Sequence, residues 1–204
     1  MNYGELKTHF QSILNRRDLT TSLRATFLEM AIARIQRELR APLMEKSINV
    51  TISSSYDGLD IPSDYLALVS ITVVSEESKL QRVDLEVAQM LAETTAIPQV
   101  FSRQGGKWTL GPTPAENTVI RIDYFAEFGA LVEDDDENTL TLVAPDLITY
   151  GALVYAAEYF LDRRMEAFEA RYKEMLNSIQ AQADFDELSQ AVMRPCFTMA
   201  DTNF

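Results

Sequence analysis

The hydrophobic period of this chain changes twice, and few folds accommodate both changes. Over residues 18–40, Leu19, Leu23, Phe27, Ala31, Ile35 and Leu39 recur every four residues, the spacing of one helical face. Asp18 is placed to cap this helix and Pro42 to stop it. A shorter helix over about 4–15 precedes it, with Leu6, Phe10, Ile13 and Leu14 as its stripe. From Ile48 the period becomes two: Ile48, Val50 and Ile52 alternate with polar residues. Asp57-Gly58 and Pro62 mark turns, and "YLALVSITVV" reads as a strand. "VDLEVAQMLAE" reads as a short helix capped by Asp84. Helical spacing returns at 145–161, with Pro145 near the first position and Asp146 in the first turn. Its apolar residues are Leu147, Tyr150, Gly151, Val154, Tyr155 and Leu161. The chain can break near Asp162, and Met165, Phe168, Tyr172, Met175 and Ile179 mark a further helix over about 163–182. Spacing allows these two helices to be either a bent rod or a hairpin.

Between the helical ends, "RQGGKWTLGPTP" (103–114) raises the question of a phosphate-binding loop. That motif requires G-x-x-x-x-G-K followed directly by Ser or Thr. Here Trp108 follows Lys107, Phe101 stands where the first glycine belongs, and a strand follows in place of a helix. A β-hairpin turning at Gly105-Gly106 fits better. In "NTVIRIDYFAEF", Ile120, Ile122 and Tyr124 alternate with Arg121, Asp123 and Phe125. The two segments together predict an antiparallel meander.

The predicted fold class is α+β. The N- and C-terminal helices form a bundle, an antiparallel β-subdomain is inserted between them, and an extended C-terminal arm follows. The corresponding ranges are 1–47 for the first bundle helices and 48–130 for the β-subdomain with its short helix. Residues 131–183 hold an acidic loop and the helices that complete the bundle, and 184–204 form the arm. In the arm, Pro195 interrupts helical spacing, and Phe185, Leu188, Val192, Met193, Phe197, Met199 and Phe204 are scattered among acids.

Charge narrows the function. The formal net charge of −13 divides into +3 over residues 1–47, −11 over 48–144 and −5 over 145–204. A free-standing DNA-binding module needs a basic face, so this balance argues against one. In an assembly of several copies, the arginines of 16–40 are expected to meet acidic neighbours in the assembly rather than DNA. No stretch approaches eighteen uncharged apolar residues, and "MNYGELKTHF" lacks the pattern of a secretory signal, so no membrane partner is expected. Cys196 is the sole cysteine, which excludes an internal disulfide and fits a reducing compartment.

The inventory for catalysis is thin. His9 is the sole histidine, and Cys196 has no histidine near it in sequence, so a nucleophilic dyad would need the two termini to meet. One His and one Cys cannot fill a zinc site without several carboxylates. "EDDDEN" (133–138) lacks the ligand alternation and central glycine of a calcium loop and reads as a solvated acidic loop. Trp108, Tyr124, Phe125 and Phe128 read as core or interface. Neither a metal nor a cofactor is expected.

"KWTLGPTPAENTVIRIDYFAEFGALVED" and "NTLTLVAPDLITYGALVYAAEYFLDRRMEAFEARYKEML" resemble the head–tail adaptor (connector) proteins of tailed bacteriophages. The matching residues are Gly111–Pro114, Tyr124, Pro145–Leu147, Tyr150–Leu153, Asp162, Phe168, Glu169, Arg171 and Tyr172. "RATFLEMAIARIQRELR" and "IPSDYLAL" also fit, and the resemblance covers about residues 15–183. It implies a non-enzymatic structural protein of the virion neck, made in the host cytoplasm. Such a protein forms a homo-oligomeric ring of about twelve copies, a dodecamer, between the portal protein and a tail nozzle or tail tube protein. Double-stranded DNA passes through its channel without specific binding, which an acidic wall favours. On this reading Asp134, Asp135 and Asp136 are candidate channel charges, and Gly105, Gly106 and Trp108 are candidates for a subunit or tail interface. Met193, Arg194, Pro195, Phe197, Met199 and Phe204 form a portal-docking arm. The alternatives are a neck stopper or tail-completion protein, an acidic-site hydrolase, and a nucleic-acid-binding regulator.

Overall fold

A computed structural model describes residues 1–190. Helix α1 (Tyr3–Leu14) begins at a capping box: the Asn2 side chain accepts from Glu5 N at 2.8 Å, and Glu5 accepts from Asn2 N at 3.2 Å. Helix α2 (Thr21–Glu38) is capped by Thr20, which accepts from Leu23 N. Asp18, the cap expected from sequence, is instead bound by Arg16 at 2.8 Å. A 3-10 turn at Pro42–Met44 then leads to strand β1 (Glu45–Thr51).

β1 is followed by β2 (Leu59–Asp60), β3 (Tyr65–Val73), β4 (Ser78–Lys79) and β5 (Gln81–Arg82). Helix α3 (Leu85–Ala92), β6 (Val100–Gln104), β7 (Lys107–Gly111) and β8 (Val119–Ala126) complete the subdomain. The strands form two four-stranded sheets, ordered β1-β8-β3-β4 and β2-β7-β6-β5. Their inner faces enclose one core containing Ile71, Val73, Trp108, Leu110, Ile120, Ile122 and Tyr124.

The expected hairpin is present: β6 and β7 pair antiparallel, with Gln104 opposite Lys107 across Gly105-Gly106. Gly105 has φ 60°, the positive value that a two-residue turn requires. The expected meander is corrected. β8 does not continue the hairpin but crosses to the other sheet and runs antiparallel between β1 and β3. Its alternation needs apolar neighbours on one face, and the apolar residues of β1 and β3 supply them.

Beyond β8, helix α4 (Thr139–Val143) leads into α5 (Pro145–Tyr159) and α6 (Met165–Gln190). No residue from Leu147 to Ala157 is exposed, so α5 is covered on all sides. It packs with α1, α2 and α6 in a second core that includes Leu6, Phe10, Leu28, Ile35 and Tyr172. At Gly151 the packing is close, since a Cβ there would lie 3.1 Å from Ala31 Cβ and 3.3 Å from the Tyr172 ring. α5 and α6 form a hairpin. Leu161 takes φ 52°, and Asp162 accepts from Arg164 N at the start of α6.

The extended arm expected from residue 184 is also corrected at its beginning, because α6 runs on to Gln190. Ala183 is buried in the bundle and Gln180 donates to Asp184 at 2.8 Å, which carries the helix past the expected end. Residues without helix-breaking character follow until Pro195.

Gly111, the glycine of "GPTP", lies beneath α3. A Cβ there would sit 2.8 Å from Ala88 O and 2.9 Å from Leu91 Cβ, a distance at which backbone must move. Gly111→Ala is therefore expected to destabilise the β-subdomain by about 1–3 kcal/mol, the cost typical of overpacking. Urea unfolding followed by Trp108 fluorescence measures this. An unchanged midpoint would show that α3 is not held against β7.

Candidate interaction site

The hairpin tip is an exposed, rigidly supported loop. A Cβ added at Gly105 or Gly106 would meet nothing within 4 Å, so both glycines face open space. The loop is held from behind. Lys107 Nζ donates to Asp57 at 2.6 Å and lies 3.7 Å from Asp60, and Ile61 N donates to Gly106 O at 3.0 Å. The hydrogen bond from Lys107 pulls the Asp57 carboxyl below the usual carboxylate range. Thus the lysine that suggested phosphate chemistry is a structural tie between two loops.

Trp108, expected with the glycines at an interface, is only 1% exposed. Its ring meets Tyr65 edge-on at 5.4 Å inside the β core, so Trp108 is core and not contact surface. Alternation along β7 decides this: Trp108 and Leu110 point inward, while Lys107 and Thr109 are half-exposed.

The acidic loop is fastened to the start of α1. Tyr3 N donates to Asp136 O at 2.9 Å, and Gly4 N donates to Asp134 O at 2.8 Å. These are amides that a helix leaves unpaired at its N-terminus, where negative groups are favoured. Lys7 Nζ adds a 2.7 Å pair with the Asp134 carboxylate. The Asp136 carboxylate turns inward on its own loop and accepts from Val132 N and Glu133 N at 2.7 and 2.8 Å. Those amides hold its pKa below the ordinary value. Two of the three candidate channel charges therefore also brace the fold, and Asp135 is exposed beside them.

Asp134 and Asp135 line a shallow cleft of about 520 Å³ with His9, Glu5, Thr8 and Ser12. Among the described residues, no group of three His, Cys, Asp or Glu side chains is placed to hold a metal ion. Among them, too, no helix is long and apolar enough to cross a membrane. The expected docking residues Met193, Arg194, Pro195, Phe197, Met199 and Phe204, like Cys196, lie outside the described residues.

Sequence reading missed the main polar contact of the bundle. Arg34 on α2 grips Glu169 on α6 through two hydrogen bonds of 2.9 and 2.8 Å, and donates to Glu38 at 2.9 Å. Its guanidinium stacks 4.2 Å from the Tyr172 ring, and Tyr172 OH donates to Glu38 at 2.8 Å. Lys173 approaches Glu169 at 3.1 Å. Arg34 and then Lys173 hold Glu169 down to about 2. Burial, followed by Glu38, pushes the Tyr172 hydroxyl well above the ordinary tyrosine value. Arg34 thus finds its acidic partners within its own chain, where the sequence reading places those of the 16–40 arginines on neighbouring copies. The available signal was the Phe168-Glu169-x-Arg171-Tyr172 motif, but nothing local to it names Arg34.

Large apolar side chains are exposed singly at Met30, Val69, Val74, Val132 and Phe185, and in groups at three places. Val87, Met90 and Ile97 lie on and after α3, Leu142 and Val143 on α4, and Tyr159 and Leu161 at the α5–α6 turn. Leu161 is 91% exposed, and its backbone is in the left-handed region, so the side chain is held outward.

The family model described as SU10 adaptor protein matches residues 1–195 of this chain. No curated protein matches it.

The Arg34–Glu169 pair makes a pH-dependent prediction. The folded pKa of Glu169 is depressed from 4.5 to about 2, so its stabilisation is complete above about pH 4.5 and is lost as pH falls through 2. Glu169→Gln is expected to cost about 2 kcal/mol at pH 7, an allowance that includes solvent screening of a partly exposed pair. Chemical unfolding of both proteins across pH 7 to 2 should show the difference shrinking towards zero at the acid end. A difference independent of pH would exclude an ionic origin.

Proposed function

Because the chain belongs to the SU10 adaptor protein family, which is a family of structural phage proteins, we propose that it works as a ring-forming head–tail adaptor. In this reading about twelve copies join the portal protein to a tail nozzle or tail tube protein and extend the DNA channel, within the virion. The observation that carries the proposal is the family match over nearly the whole chain, 1–195 of 204 residues.

Two physical features support it. Three separate sites leave large apolar side chains in water, and such surfaces mark protein contact. An adaptor needs several contacts at once, to its own neighbours and to a protein at each end. Second, residues 48–144, nearly half of the chain, carry a net charge of −11. A channel wall of that sign lowers phosphate affinity and lets DNA slide. The exposed Asp135, with Asp134 and Asp136 beside it, is proposed as part of that wall. The hairpin tip at Gly105-Gly106 is proposed as a subunit or tail contact.

Mass photometry of the purified chain should show a species of about twelve times 23.1 kDa, alone or on mixing with portal. Negative-stain images of the mixture should show added density beneath the portal. The ring is expected to retain no salt-sensitive complex with duplex DNA. A protein that stays monomeric in both conditions would overturn the proposal.

A further inference from the structure

A sheet edge with unpaired backbone invites another strand, so natural sheets shorten, bulge or cover their edges. Three of the four edge strands here obey that rule, since β2, β4 and β5 are two residues each. β3 reaches beyond β4, but two irregularities of register interrupt it, at Tyr65/Ala67 and Leu68/Ser70. β1 is the exception. It has seven residues in unbroken register with β8, and among the described residues nothing pairs with its other side.

The direction of the free groups follows from one bond. Ile52 N donates to Thr118 O across the ladder to β8. Strand alternation then turns Val50, Ile48 and Lys46 towards β8, and leaves the N–H and C=O of Glu45, Ser47, Asn49 and Thr51 pointing outward. Ile48 and Val50 are only half-buried, because the core is open along this edge. A strand that completed it would place apolar side chains two residues apart beside Ile48 and Val50, and polar ones beside Ser47, Asn49 and Thr51.

The chain carries such a segment. Fourteen residues follow Gln190, and in "CFTMA" (196–200) Phe197 and Met199 alternate with Cys196 and Thr198, after Pro195 and with no further proline. The course of α6 also bears on its reach. Its residues 169, 172 and 180 meet Arg34, Glu38 and Arg40 in that order, so α6 runs in the same direction as α2. It therefore passes Arg40, five residues before β1, and continues for ten more residues, about 15 Å of helix. Residues 191–196 then span up to about 20 Å when extended.

We propose that residues 196–200 of one copy add as a strand to the open edge of β1 in a neighbouring copy, with Phe197 and Met199 covering Ile48 and Val50. The proposal rests on the ring reading. It gives that ring a heterologous contact, in which a tail leaves each subunit and an edge receives the next one, as closure requires. It assigns the C-terminal segment a seat in the ring in place of the portal seat expected from sequence.

Cys196, the sole cysteine, makes the register testable. On the proposed strand it shares a face with Ser47, Asn49 and Thr51, at the 4.5–5.5 Å Cα spacing of paired strands that a disulfide can bridge. The full chain is prepared as Ser47→Cys, Asn49→Cys and Thr51→Cys, with Thr26→Cys on the exposed side of α2 as a control. Each is oxidised mildly, and covalent species are read on a non-reducing gel, with assembly read by mass photometry. The expected result is a ladder of covalent multimers for at least one of the three β1 variants. The ladder should be lost in the same variant carrying Cys196→Ser and be absent for Thr26→Cys. A bridge confined to monomers would overturn the exchange between copies, by showing that the segment returns to its own β1. Rings that form normally without any β1 cross-link would overturn the proposal and leave the ring reading standing. A chain that remains monomeric, with no cross-link, would overturn both.

Discussion

The helix α5 sets the terms for the rest of the molecule. From Leu147 to Ala157 it presents no face to water, so it cannot be a surface helix and must be surrounded. The residues that surround it come from both ends of the chain: Leu6 and Phe10 from α1, Leu28 and Ile35 from α2, Phe168 and Tyr172 from α6. Burying α5 thus forces two sequence-distant halves together, and everything between them must leave and return at nearly one place. The β-subdomain is what fits that requirement: a separate core, entered after Leu39 and left after β8. Gly151 is part of the same constraint, because α2 and Tyr172 approach α5 too closely there for a side chain.

Electrostatics then orient what hydrophobic burial has brought together. The Arg34 fork fits one carboxylate, Glu169, and its flat face rests on Tyr172, so α6 is fixed in rotation as well as position. At the other end of α2's partner helices, Arg164 donates to Leu14 O at the close of α1, which ties the α5–α6 turn to the first helix. The acidic loop serves the start of α1 in the corresponding way, through carbonyls of Asp134 and Asp136 and the Lys7 pair. In a chain of net charge −13, these few cations are spent on internal joints, and the remaining acids are left on the surface.

The two sheets differ in how they end, and this bears on assembly. Sheets in soluble proteins avoid long regular edges, and three edge strands here are too short to template anything. β1 keeps a regular edge at the point where the chain passes from bundle to β-subdomain. In the proposed ring a subunit would bind neighbours on several sides, and a sheet edge gives direction and register that an apolar patch alone does not. The exposed side chains around Met90, Leu142 and Leu161 offer apolar area without register.

Much of the architecture was legible in the residues because it depends on local periodicity. The four-residue stripe from Leu19 to Leu39, the alternation at Ile120–Tyr124 and the Gly105-Gly106 turn are each fixed by backbone geometry within a few residues. So is the failure of the phosphate motif, since Trp108 in place of a hydroxyl residue is visible by inspection. Which sheet β8 joins was not legible, because alternation states that a strand has an inner face but not which strands flank it. Trp108 could be assigned to core only once β7 had a covered side. Thr20 replaced Asp18 as a cap, and α6 outran its expected end, because a helix boundary is decided by competing partners: Arg16 for Asp18, and the bundle for Ala183. The Arg34–Glu169 grip spans 135 positions, and the edge position of β1 follows only from where the other described strands lie. Sequence by itself determined the longer helices and strands, the acidic balance and the mismatch to the phosphate and calcium motifs. Tertiary structure alone decided which charges are joints, which aromatic is core and which long strand lies at a sheet edge among the described residues, because these depend on distances between residues that no local pattern relates.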